Sequence, residues 1–227
     1  MASLLLAICL TTFVQAEVVP INHENVAYVY EVNTKNPAPR ETLAKLISAE
    51  YRDAKDETSA REAFTKIAPS IDKGIEAAKT SKLCLVKTTK ELPQYDSKSA
   101  SFPTGFTEDT FLPFKAYNQE FAVMFTNSGE FAQVPVSAES AKKLDSILEK
   151  DRSAEFTVEG FVKGTTERTL KGKKQKVILL EITMVRIELV NGTSVGAVGR
   201  DASGDLAAPK YLPPPATIEH NKPVSEP

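Results

Sequence analysis

The spacing of hydrophobic and polar positions changes several times along the chain. Residues 26–32 read Val-Ala-Tyr-Val-Tyr-Glu-Val, and their β-branched and aromatic content predicts a strand. Pro37 and Pro39 then predict a turn, because a proline disfavours the helical region for the residue before it. From Arg40 the apolar spacing lengthens. Leu43, Leu46, Ile47 and Ala54 share one helical face, and Phe64, Ile67, Ile71, Ile75 and Ala78 share a second. Thr58 or Ser59 is the expected N-cap between them, with Glu62 completing a capping box from Ser59. Pro69 predicts a kink or break near Ile67 or Ala68. The two stripes make a helical hairpin whose apolar seam would cover a sheet or serve dimerisation.

Beyond Lys82 the period shortens to that of strands. Residues 83–89 predict a strand, and a long Pro- and aromatic-rich connection runs from there to Gln119. Residues 120–126 and 131–136 predict a hairpin turning at Asn127-Ser128-Gly129-Glu130. Ser137 caps a predicted helix with Ala141, Leu144, Ile147 and Leu148 on its apolar face. Residues 154–160 alternate as a strand, a basic connection spans residues 163–176, and residues 177–189 form the last long strand. In that strand Ile178, Leu180, Ile182 and Met184 alternate first, and Val185, Ile187 and Leu189 then take over. The parity change predicts a bulge or bend near Met184–Val185. Asn191-Gly192 is a turn signal. The remainder is Gly-, Ala- and Pro-rich and predicts a disordered tail, although Val195 and Val198 could extend the last strand.

The order strand, strand, strand, helix, strand, strand predicts an α+β fold, with the helical hairpin packed on a small OB-like five-stranded barrel whose helix lies between strands three and four. The divisions are residues 1–16, a targeting segment; 17–80, a strand and helical hairpin; 81–190, the barrel; and 191–227, the tail. Residues 4–16 hold no charge and are too short to span a bilayer, which takes about 20 residues. Val14 and Ala16 fit the small-residue pattern of a secretion signal cleaved after Ala16, and imply a periplasmic or secreted protein. No Lys or Arg precedes the apolar run, which leaves open whether Met1 is the true start. Cleavage would remove Cys9 and leave Cys84, so no internal disulfide is expected.

The run Asn36-Pro37-Ala38-Pro39-Arg40-Glu41-Thr42-Leu43-Ala44-Lys45-Leu46, with Phe102-Pro103-Thr104-Gly105-Phe106, resembles segments of an uncharacterised bacterial family of exported proteins with a domain of unknown function. The resemblance covers roughly residues 33–189 and implies a bacterial envelope location. It brings no activity and no site residues.

Catalytic signals are few. The histidines are His23 and His220, each near a terminus, so neither a Ser-His-Asp or Cys-His site nor an ordinary zinc site is expected from the core. Walker, dinucleotide and nucleophile-elbow patterns are missing. Glu108-Asp109 is the pair that a carboxylate-dependent hydrolase would use, and solvated loop acids are the simpler reading. Asp96 and Asp109 could offer oxygens to calcium, but no EF-type loop surrounds them. The net charge of −2 carries no basic field for nucleic acid, and no cofactor is implied.

Two features remain. Nine of the seventeen Phe and Tyr residues fall between Tyr95 and Phe131, and Tyr95, Phe102, Phe106 and Phe111 lie in the long connection. They would either plug the barrel or line a pocket. Lys163, Arg168, Lys171, Lys173, Lys174 and Lys176 then cluster between the last two strands, as a solvated hairpin tip or an anion-binding loop. In an OB-like barrel these two loops would flank one face. The expected ligand-binding residues are therefore Tyr95, Phe102, Phe106, Phe111, Lys171, Lys173 and Lys174. The function implied is an exported, non-catalytic binding or interaction module whose partner is an envelope ligand, glycan or otherwise anionic. The alternatives are an envelope hydrolase and a structural protein docking through its helices and tail.

Overall fold

The computed structural model describes residues 18–80, 83–200 and 206–207; the expected targeting segment and most of the expected tail lie outside them. A parity change in one strand organises the rest. Strand β8, Lys173–Leu189, buries Ile178, Leu180 and Ile182, then Val185, Ile187 and Leu189. Opposite it in strand β7, Ser153–Leu170, Glu159 pairs with Met184 and Gly160 with Ile182. Thr183 is therefore the extra residue, beside the position that the sequence indicated. A second irregularity, between Val162 and Gly164, leaves Lys163 as the extra residue of β7. Gly160 permits the first bulge, since a Cβ there would come within 2.4 Å of the Glu181 carbonyl oxygen. The two strands join through Lys171-Gly172, both at positive φ, the backbone of a tight hairpin turn. The basic connection is thus the distal half of this hairpin.

Around it lies a curled, half-barrel sheet in the order β1-β2-β7-β8-β5-β4. Here β1 is Val18–Pro20, β2 is Leu83–Glu91, β4 is Phe111–Ala116 and β5 is Gln119–Phe125. One edge of β8 serves two neighbours: β5 runs parallel to it at residues 176–180, and β9, Ser194–Arg200, runs antiparallel at residues 184–188. Asn127 spans the gap. Its side-chain amide donates to the Ile182 carbonyl at 3.0 Å and its Oδ1 accepts the Ile182 N–H at 2.8 Å. β10, Leu206–Ala207, pairs with β9, giving eight strands where five were expected. β3, Ser101–Pro103, and β6, Gln133–Pro135, form a separate pair.

Several expectations are corrected. Residues 26–32 are not a strand: Val26–Asn33 is helix α1, with every residue from Val26 to Glu31 buried. Being enclosed on all sides, it shows no polar face for a helical period to mark. The aromatic connection contains β3 and β4, and β5 pairs with β4 instead of forming a hairpin with residues 131–136. The expected tail yields residues 194–200 to β9, whose Gly196 lies where a Cβ would meet Val136 at 2.9 Å.

The helical hairpin forms from α2, Arg40–Ile47, the short α3, Ala49–Arg52, and α4, Glu57–Thr80. Asp56, not Thr58 or Ser59, caps α4: Oδ1 accepts the Ser59 N–H at 2.7 Å, and Ser59 Oγ accepts the Asp56 N–H at 3.3 Å. The helix passes Pro69 unbroken, because Pro69 and Thr65 face solvent, where water can take the carbonyl that loses its N–H. Gly74 lets the Tyr28 ring lie directly on α4, where a Cβ would approach ring atoms to 2.6 Å. Ser137 caps α5, Ala138–Leu148, by accepting the Ser140 N–H at 3.1 Å, as its sequence predicts.

Candidate functional site

The sheet separates two apolar clusters. The large one joins the helices to its inner face; the small one, on the outer face, holds Ala122, Met124 and Val177 with Phe111, Leu170 and Leu179. The register assigns faces along β8, because successive side chains alternate. Lys176 faces inward, where its Nζ reaches the buried Glu31 at 2.9 Å and lies 5.0 Å from the centre of the Tyr30 ring. Gln175 and Lys173 face outward.

The expected ligand residues divide accordingly. Phe102 and Phe106 are 1% and 3% exposed, so this part of the aromatic stretch plugs the core. Phe106 packs on Phe125 and Phe156, with ring centres 5.1 and 6.0 Å away. Tyr95 is half-buried against Phe102, and its hydroxyl donates to the Val136 carbonyl at 2.9 Å. Lys174 faces inward by register and is paired with Glu167 at 2.5 Å. Phe111, Lys171 and Lys173 share the outer side. The Lys171 Nζ lies 5.4 Å from the centre of the half-buried Phe111 ring, while Lys173 is paired with Glu120 at 2.8 Å. Arg168 joins them, its Nη1 3.9 Å from the Met124 sulfur. These contacts, with Leu170 in the cluster, fold the hairpin tip over β4 and β5. Among the described residues no carboxylate forms an ion pair with Arg168 or Lys171. Beneath them Gln175 is 6% exposed, and its Oε1 has no hydrogen-bond partner among the described residues.

Farther along the outer face Arg186 is 5% exposed, and its Nε and Nη2 have no partner among the described residues. Burial raises the nearby Glu159 carboxyl above its usual range, and the positive charge of Arg186 partly offsets that rise. Inside, the Lys90 ammonium donates to the Thr104 carbonyl and lies 4.3 and 4.5 Å from the centres of the Phe106 and Phe156 rings. Burial lowers its pKa to about 8. Burial also pushes the Cys84 thiol up to about 11, so it is protonated at neutral pH and a poor nucleophile.

The catalytic candidates stay apart. Glu108 and Asp109 are exposed at a turn where the Thr107 N–H donates to Thr110 Oγ1 at 2.8 Å. Asp96 is held below its usual range by hydrogen bonds from Ser99 and from the Lys98 backbone N–H. His23 is not a loose terminal residue: its Nδ1 accepts the Lys115 N–H at 3.0 Å and its ring packs on Phe114. His220 lies outside the described residues. Among those residues no three His, Cys, Asp or Glu side chains gather as a metal site, and no helix is long and apolar enough to cross a membrane.

Sequence reasoning missed a cavity of about 520 Å³ between the C-terminal ends of α1 and α4 and the bulged part of β7. Phe161, Lys163 and Glu181 are among its lining residues. The available signal was the lost alternation between Gly160 and Gly164, which marks an irregular, re-aimed stretch of strand. No protein-family model, curated protein or solved structure matches the chain.

Proposed function

We propose that the chain is an exported, non-catalytic binding module of the bacterial envelope, holding an anionic ligand, a charged glycan by preference, on the outer face beneath the β7–β8 hairpin tip. One observation carries the reading: Lys171 stands over a half-buried Phe111 ring beside Arg168, and both cations are free of carboxylate partners among the described residues. An aromatic face with adjacent cations suits a sugar ring bearing carboxylates, because the ring stacks while the charges pair. Lys173 and Lys174 contribute less, being matched by Glu120 and Glu167. The export signal and the family resemblance supply the envelope setting. The architecture belongs to the same proposal: an OB-like barrel opened at one side and extended by β9 and β10.

Titration with polygalacturonate and with neutral dextran of similar length tests the reading. Polygalacturonate should bind, weaken as salt rises, and lose about tenfold in affinity on Lys171→Glu or Arg168→Glu, a change of about 1.4 kcal/mol. Equal binding of dextran, or an affinity unchanged by both substitutions, overturns it. For export, N-terminal sequencing of protein from the periplasmic or secreted fraction should begin at Glu17, and an intact Met1 there overturns that part.

A further inference from the structure

The cavity of about 520 Å³ lies away from the hairpin tip and falls within the range of small-ligand sites, about 300–1,000 Å³. Its floor is apolar: Val29 and Val32 from α1, Ala78 from α4, Cys84 from β2 and Val162 from β7. Phe161, a large aromatic, is 41% exposed beside it. Both signs of charge are present. Lys163, the extra residue of the β7 bulge, reaches Glu181 Oε2 at 2.9 Å, and both side chains are more than a third exposed. Lys79 stands in the last turn of α4 and Asn33 ends α1. The carbonyl ends of two helices therefore border the same space and add partial negative charge. Each ammonium group is thus matched by a carboxylate, Lys163 by Glu181 and Lys79 by Glu76 at 2.9 Å, with two helix C-termini beside them, over a hydrophobic floor.

A purely anionic head would face Glu181 and the helix carbonyls, and a purely cationic one would face Lys79 and Lys163. A ligand carrying both charges close together satisfies both sets. The exposed Lys163–Glu181 pair costs little to open, since such pairs contribute about 0–1 kcal/mol.

We propose that this cavity binds a small apolar zwitterion, a hydrophobic amino acid or dipeptide. Its carboxylate would take Lys163, its ammonium would take Glu181 and the helix carbonyls, and its side chain would lie on the valine-lined floor against Phe161. The inference does not rest on the outer-face reading and could stand if that reading failed.

Calorimetric titration of the intact protein with L-phenylalanine and L-leucyl-L-leucine tests it, with 3-phenylpropanoate and 2-phenylethylamine as the same body carrying one charge. At least one zwitterion should bind saturably, and each single-charge analogue should bind at least about tenfold more weakly. Lys163→Gln and Glu181→Gln should each reduce zwitterion affinity about tenfold while the melting temperature stays within about 2 °C, because both side chains are more than a third exposed and such a pair contributes about 0–1 kcal/mol. Absence of saturable zwitterion binding up to about 10 mM overturns the proposal. So does a single-charge analogue that binds as well as the zwitterions, or an affinity that neither substitution changes.

Discussion

The large inner cluster and the small outer one draw on the same strand. On the inner face β8 contributes Ile178, Leu180, Ile182, Val185, Ile187 and Leu189, all within one core, and its inward Lys176 is matched by Glu31. On the outer face it buries Gln175 and Arg186, with side-chain atoms that have no partner among the described residues. Burying a polar group without a partner costs about 1–3 kcal/mol, and more when it is charged. The inner face is thus built for stability, while the outer face tolerates a stability cost.

The largest effect expected comes from the aromatic stretch, which both regions share. Phe102→Ala and Phe106→Ala, in the inner core, should each cost about 3–5 kcal/mol in urea unfolding. Phe111→Ala, in the outer cluster, should cost roughly 1 kcal/mol. Equal losses at all three would erase the distinction. Next is Arg186→Met, which removes an incompletely paired buried charge and keeps an apolar stem. It should raise stability by about 1–2 kcal/mol, whereas a loss of that size would mean that the guanidinium is paired in solution.

The smallest effect is a pH dependence from Lys90. Its pKa is about 8 in the folded protein against 10.5 as the ordinary value, so above pH 8 the unfolded chain binds more protons than the folded one. Lys90 therefore adds stability as pH rises through that window, and its penalty is fully present below it. Cys84 acts oppositely, since its raised pKa removes stability as pH climbs from 9 toward 11. Between pH 8 and 9 the wild type should gain on Lys90→Met in chemical denaturation. A constant difference between the two across that interval would show that the ammonium is as well solvated as in the unfolded chain.

Local signals in the sequence were sufficient where a residue acts on its own neighbours. Ser137 announces α5, Asn191-Gly192 the turn before β9, and the broken alternation near Met184 the bulge at Thr183. They failed where the deciding partner is distant. Residues 26–32 have the side chains of a strand, but α4 and the sheet enclose them as a helix, with Tyr28 seated on Gly74. Gly196 looked like tail composition, and only the approach of Val134 and Val136 explains the need for a small residue there. Of the candidate site, the sequence marked Phe111 and Lys171 but could not separate them from Phe102 and Phe106, because all three phenylalanines stand in the same aromatic-rich stretch. The cavity was harder still. Its residues come from α1, α4, β2, β7 and β8, and meet only after folding.

The shared edge of β8 also has a consequence in time. A ribosome makes β2 and β5 well before one of the two strands that flank each, since β2 pairs with β7 and β5 with β8. Until β7 has emerged, β2 can pair only with the three residues of β1, and until β8 has emerged, β5 can pair only with β4. Open edges of this kind are templates for pairing with other chains. The missing piece then forms quickly, because a hairpin closed by a two-residue turn assembles in about 1–10 μs once both strands are free. Strands made last therefore organise strands made first, and a product cut short within β8 would be a sticky half-sheet instead of a smaller folded protein.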